Sequence, residues 1–414
     1  MNATAAEAGN DRPGEVVVAP KTSSKRLVGI DAARGLALAG MMATHLLPAW
    51  NETTGDATLN WILFSGNAAA LFALLAGVGL ALSTGGRHPH EGRRMTANRA
   101  GIAVRAILIS VVGLGIGTLM PENPPAYNIL IYYGVFFLLA IPFLRVGPRM
   151  LFVSAAIFAM VAPLLMQNLL DVLPGWSSYN PTLGTVLAEP GATASQLLLT
   201  GNYPALQYMT FLLTGMGIGR LNLREISTQV RILVVGVGMA VLAHLTSYIL
   251  LYGLGGYQRL LESSDLQVST LNAWLTWGPD GFPTDTPWWL AITTPHTDTP
   301  LSLAASLGVA MGALGAFLLI ARKIGAWLLP LTAMGIMTLT IYTAHLVALS
   351  FEVHYDRPYL WYVIHLGVAA AFATVWYLKL GKGPLERVIG YAATGARRIV
   401  LGGAANNPER GLGR

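Results

Sequence analysis

Apolar residues gather into ten runs of membrane-spanning length, near 27–50, 62–84, 101–120, 127–145, 149–170, 203–221, 230–253, 299–321, 325–350 and 359–379. A hydrocarbon layer about 30 Å thick needs about 20 residues of helix to cross it. The runs at 127–145 and 203–221 lie near the short limit. Polar, Gly- and Pro-containing stretches separate the runs. The pattern predicts an all-α, polytopic membrane helix bundle of about ten transmembrane helices. Residues 1–25 are small and polar without the apolar core of a signal peptide, and are expected to form a disordered cytoplasmic tail. The bundle is expected over 26–390 and a second cytoplasmic tail over 391–414. Ala192–Leu199 suits a short interfacial helix.

Charge sorting gives this bundle a direction. With the N-terminus in the cytoplasm and ten spans, the inner side receives both tails, Arg87, Arg93, Arg94, Arg99, Arg145, Arg149, Arg220, Arg224, Arg231, Arg322 and Lys323. The outer connections receive only Arg259 and Arg357 of the 26 basic residues. That is the positive-inside bias, with both termini cytoplasmic. The long outer connections, 171–202 and 254–298, hold Trp176, Trp274, Trp277, Trp288 and Trp289. Long connections of this kind cap sites or anchor aromatics at the interface. Composition fits: 54% of the 414 residues are hydrophobic and 11% charged, against about 25% charged in a soluble domain. The net charge of +6 is therefore sorted by side rather than gathered for nucleic acid. No Cys occurs, which removes disulfides, thiolate nucleophiles and Cys-held metals.

The first run, Arg26–Trp50, carries charge where lipid disfavours it. Arg34 and His45 are 11 positions apart, about 1100° of helical turn, which returns them to within about 20° of one line. Asp31 falls about 40° from His45. The three share one face, with Arg34 and His45 roughly 16 Å apart along the axis. Ionisable groups at membrane depth face a wet cavity or one another, so this helix is expected to wall a polar pocket. The plainer reading puts Asp31 and Arg34 at the headgroups and makes His45 a satisfied buried histidine.

His244, His345 and His365 fall toward the outer ends of their helices, His296 lies just before the eighth run, and His354 lies in the last outer connection. Histidines gathered at one depth suit acid–base chemistry or proton handling. No metal is expected, because no His-x-x-x-His or His-Glu-x-x-His pattern occurs. There is no phosphate-binding loop or G-x-S-x-G elbow. Asn51-Glu52-Thr53 fits a frequent chance sequon, and Gly215-Met216-Gly217-Ile218-Gly219 suits close helix packing.

The run Asp31-x-x-Arg34-Gly35-x-Ala37 ending at His45 resembles the opening helix of a superfamily of transmembrane acyltransferases. It resembles the acyltransferase-3 family, in which His follows Arg by eleven positions. It equally resembles the heparan-α-glucosaminide N-acetyltransferase and YeiB-like branch, where the D-x-x-R-G start recurs. Leu71–Val78 is similar to the segment that follows in those families. Gly201–Pro204, Pro295–Pro300, Leu339–His345 and Gly383–Glu386 look like the YeiB and glucosaminide-acetyltransferase branch. In the glucosaminide acetyltransferase, Asn stands at the position of His45 and the catalytic His lies further on. Here no His occurs between His45 and His88, which favours His45 itself.

The resemblance implies transfer of an acyl group from a cytoplasmic acyl-CoA to a hydroxyl or amine of an extracytoplasmic glycan or lipid, in the plasma membrane of a bacterium. It leaves room for a homodimer. Such transfer needs a base for the acceptor proton and donors for the developing oxyanion. His45 is the expected base. Arg34, with Arg105, is expected on the donor side, where a guanidinium suits phosphate, and Asp31 would hold Arg34. The acceptor pocket is expected from His296, Thr299, His345 and Tyr203. The alternative is a proton-coupled transporter using Asp31, Arg34 and His45. The sixth run lacks the copy of this stripe that a five-plus-five inverted repeat would carry.

Overall fold

The structure, a computed structural model, describes residues 27–353 and 355–402. The whole expected N-terminal tail, His354 and the last twelve residues of the expected C-terminal tail lie outside the described residues. Among the described residues there is no strand, only an isolated bridge between Trp50 and Ala57.

The helices, in chain order, begin with α1 (Val28–Leu46), α2 (Leu59–Phe64), α3 (Asn67–Ser83), α4 (Gly92–Gly117), α5 (Leu130–Ala140) and α6 (Pro148–Leu169). Next come α7 (Leu183–Ala188), α8 (Pro190–Ser195), α9 (Ala205–Gly219), α10 (Ile226–Tyr248), α11 (Gly256–Ser263) and α12 (Val268–Trp277). The last are α13 (Pro300–Ile324), α14 (Leu329–Ile336), α15 (Thr338–Leu349), α16 (Pro358–Leu380) and α17 (Pro384–Gly402). Local chemistry sets several ends. α1 stops at Leu47, whose extended backbone precedes Pro48. α13 starts where the Thr299 side chain accepts from the Ser302 N–H and Pro300 takes the first turn.

Each of the ten apolar runs contains a helix, yet among the described residues only six helical stretches are long and apolar enough to cross a membrane. They are Leu59–Ser83, Gly92–Gly117, Pro148–Leu169, Ile226–Gly253, Pro300–Ile324 and Pro358–Leu380. The pair α14 and α15 passes the same test only when its two helices are taken together, and it bends by 84° at Met337, as a broken span or a re-entrant loop does. Length and apolarity therefore do not carry the expected count of ten. The exceptions have a physical reason. α1, α5 and α9 are short or carry charge, and most of their residues are buried by other helices. The long helices α10 and α16 bury few residues. The inner helices answer to protein neighbours and a cavity, not to lipid thickness.

Two close crossings place the inner helices. A Cβ on Gly77 would overlap the Leu212 carbonyl, and one on Gly215 would overlap the Leu74 carbonyl, so α3 and α9 pack backbone to backbone. Gly35 and Gly335 do the same for α1 and α14, against the carbonyls of Leu331 and Asp31. The basic connections gather at one end of the bundle. Arg220, 4% exposed, donates to the carbonyls of Ala81 (3.2 Å), Gly86 (2.6 Å) and Leu144 (2.5 Å). Arg322 donates to the Arg224 carbonyl at 3.0 Å.

The 254–298 connection folds at the other end over its own small core of Leu251, Leu260, Leu271, Trp289 and Ile292. Ala192–Leu199 is helical, as α8 and the π-helical turn Gln196–Thr200. Residues 391–402, expected in the C-terminal tail, instead form most of α17. This helix buries Ile389 and Ala393 and packs along α4.

Candidate functional site

Arg34 is held on three sides. Asp31, one turn earlier on α1 and buried, accepts from its Nη1 at 3.1 Å. The Leu75 carbonyl of α3 accepts from its Nη2 at 3.0 Å. Gly79 makes room, because a Cβ there would stand 2.8 Å from Nη2. So fixed, the guanidinium lines a cavity of about 330 Å³ between α1, α3, α4, α5 and the broken pair. Arg105, Tyr133, Thr338, Tyr342 and Glu386 line it too. Arg105 reaches in from α4, its guanidinium 6.0 Å from the Phe137 ring centre. The Tyr133 hydroxyl is buried without a hydrogen-bond partner among the described residues. Glu386 of α17 accepts from the Thr340 N–H (3.1 Å) and hydroxyl (2.5 Å). It thereby caps the N-terminus of α15, where carboxylate charge is favoured. The break at Met337 thus presents a helix start, two guanidinium groups and one carboxylate to the same space.

The cavity wall continues up α1 through Met41, one turn before His45. His45 itself faces Tyr342, with ring centres 6.4 Å apart. Tyr342 and His345 stand three apart on α15 and so share a face. His345, 4% exposed, places Nε2 at 3.1 Å from His45 Nδ1, the two rings stacked at 5.4 Å. Its Nδ1 lies 2.8 Å from Nδ1 of His365 on α16. His365 stands edge-on to His345 and to Trp361. Three helices thus bring three histidines into one hydrogen-bonded row at the end of the α1 stripe opposite Arg34.

The other expected residues are placed differently. Thr299 is fully buried, and its hydroxyl donates to the Ile292 carbonyl at 2.6 Å while capping α13. Its hydroxyl is occupied by the fold rather than aimed at a ligand. His296 is exposed and held in left-handed backbone (φ 62°), its ring 6.5 Å from that of Trp61. Tyr203 is buried edge-on between Tyr132 (5.6 Å) and Tyr208 (5.8 Å). His244 meets the Thr293 hydroxyl at 3.2 Å, away from the histidine row.

Four residues at or near the site were not singled out from sequence. Tyr133, Tyr342 and Glu386 line the cavity. Asp298, buried beside His296, has left-handed backbone (φ 50°) and a carboxyl pushed up to about 7 by burial. The available signals were Tyr342's spacing from His345 and Asp298's place inside the Pro295–Pro300 motif. No group of three or more His, Cys, Asp or Glu could hold a metal among the described residues. The histidine row is a chain of ring-to-ring contacts, not a set converging on one point.

A search of curated proteins finds no match. The family model described as heparan-alpha-glucosaminide N-acetyltransferase, catalytic, matches residues 26–251, which include α1, its Asp31–Arg34 pair and His45. With more than half of its length matched, the chain belongs to this family of transmembrane acyltransferases.

Proposed function

We propose that the protein moves an acetyl or similar acyl group from a cytoplasmic acyl-CoA to a hydroxyl or amine of an extracytoplasmic glycan or glycolipid at the plasma membrane, with His45 as general base. The observation that carries this reading is the cavity wall on α1, which runs from Arg34 through Met41 toward His45. A volume of about 330 Å³ suits an acyl-bearing arm rather than a whole nucleotide donor. Arg34 and Arg105 supply cationic charge at the end from which the donor enters, where guanidinium groups suit phosphate. The arm would then bring its thioester toward Tyr342 and His45. Proton removal by His45 makes the acceptor oxygen or nitrogen nucleophilic as it attacks the thioester carbonyl. Collapse of the tetrahedral intermediate releases the thiolate. The Tyr133 hydroxyl, buried on the cavity wall without a hydrogen-bond partner among the described residues, would donate to the developing oxyanion.

Calorimetry and acyl-transfer assays test this together. Purified protein should bind CoA, and Arg34→Ala should weaken binding more than about tenfold, or roughly 1.4 kcal/mol. His45→Ala and His45→Gln should bind CoA as wild type does yet lose about 10²–10⁴ in transfer rate. Activity kept by His45→Gln would make His45 a packing residue. A wild type with no CoA affinity, whose solute flux is uncoupled by His45→Ala, would establish the transporter instead.

A further inference from the structure

We infer that His45, His345 and His365 form a proton relay that keeps His45 neutral through both proton transfers of the reaction; this rests on the acyltransferase reading above. A neutral imidazole has one donor nitrogen and one acceptor nitrogen. The two ring contacts, 3.1 Å between His45 Nδ1 and His345 Nε2 and 2.8 Å between His345 Nδ1 and His365 Nδ1, therefore permit two arrangements of the row. In the first, His45 Nδ1–H donates to His345, His345 Nδ1–H donates to His365, and His45 Nε2 is bare. In the second every proton has moved one place, and His45 Nε2 carries hydrogen. The first arrangement presents a base at the site and the second presents an acid.

The steps balance. As the acceptor oxygen or nitrogen bonds to the acyl carbon, its proton passes to His45 Nε2. The His45 Nδ1 proton passes to His345 Nε2, the His345 Nδ1 proton passes to His365 Nδ1, and the His365 Nε2 proton leaves to water. The carbon–sulfur bond then breaks, and the thiolate takes the proton on His45 Nε2. His365 regains a proton from water and the row shifts back. The acceptor proton ends on sulfur, and no imidazolium forms within the bundle, where a charged ring is costly. The geometry suits these roles. His345 is 4% exposed and touches both neighbours, as a middle link must. His365 is half-buried on α16, seven positions beyond Pro358, about 10 Å along the helix from its start. It can exchange with the water at that end. His45 is the catalytic residue, and His345 and His365 position its protons.

Nitrogen-15 spectra of histidine-labelled protein read the relay without any substrate. In wild type the tautomers of His45 and His345 should be coupled, and His365→Ala should change both. A second readout uses labelled acetyl-CoA with D-glucosamine as acceptor. His345→Gln and His365→Gln should keep the wild-type thermal midpoint and KM for acetyl-CoA while kcat falls at least about tenfold. Imidazole in the medium should restore His365→Ala but neither His345→Gln nor His45→Ala. His45 resonances indifferent to His365→Ala would overturn the relay. So would variants at 345 and 365 that lose activity only in step with stability. A wild type that shows coupled tautomers but binds no acetyl-CoA would instead sink the acyltransferase reading and leave the row as a proton path.

Discussion

Asp298 is the residue whose surroundings most disagree with its chemistry. It is a buried carboxyl on left-handed backbone, within electrostatic reach of Tyr132, Tyr203 and Tyr208, none of which can neutralise it. Burial lifts its pKa from 3.8 to about 7. A carboxyl raised in this way holds its proton more tightly folded than unfolded. The stability it lends is full below about pH 4 and is lost as pH climbs toward 7. Asp298→Asn keeps the shape and stays neutral. Its thermal midpoint should exceed wild type's at pH 8 and match it near pH 4, the gap amounting to at most about 4 kcal/mol. A midpoint that falls equally at both pH values would mean the carboxylate is used by the fold in its charged form. The same residue shows where sequence reading stops. Arg34 and His45 could be set on one face because both lie on one helix with a known period. Asp298 is unusual only through burial by residues far away in the chain. His45 and His345 touch across 300 positions, a contact no local period encodes.

Among elements, the crossing of α1 and α14 sets where Arg34 stands in the cavity. Gly335 lets α14 approach until a Cβ would overlap the Asp31 carbonyl, and Asp31 is the residue that holds Arg34. Gly335→Ala should force the two helices apart, lower stability by about 1–3 kcal/mol and weaken CoA binding through a displaced Arg34. Gly367→Ala on α16 is the control. No atom lies within 4 Å of a Cβ there, so the change should be neutral or gain up to about 1 kcal/mol of helix propensity. Thermal midpoints in detergent with CoA titrations separate the two. The positions of the ten helical runs were legible from apolarity, since lipid and core impose the same demand on them. The bend at Met337 was not. Residues 325–350 read as one continuous apolar run, and only the packing of Gly335 on α1 and the cap that Glu386 gives α15 separate its halves. α17 escaped notice because its apolar positions lie on one side of an amphipathic helix, interrupted by Arg387, Arg397 and Arg398, rather than in an unbroken run of spanning length.

For the whole molecule, the question is which end faces the cytoplasm, because a CoA donor is made there. The basic connections are tied together at the Arg34 end by Arg220 and Arg322. The aromatic connections meet at the opposite end, where Trp61 donates to the Thr276 carbonyl (3.2 Å) and Gln167 to the Thr286 carbonyl (2.7 Å). Basic connections favour the cytoplasmic side, which would open the arginine-lined cavity to the donor and turn the histidine row toward the acceptor. That arrangement depends on how often the chain crosses. Among the described residues six helices are long and apolar enough to cross, so the bent pair α14–α15 and the shorter α1, α5 and α9 decide the parity. Reporter tags resolve it. Tags at Gly86, between α3 and α4, and at Lys323, at the end of α13, should be shielded in intact cells. Tags at Gly191, in α8, and at Gly281, after α12, should be labelled from outside. If Gly86 and Lys323 were to fall on opposite sides, one of the short helices would not cross. The cavity would then face the wrong compartment for a CoA donor, even with every residue of the site in place.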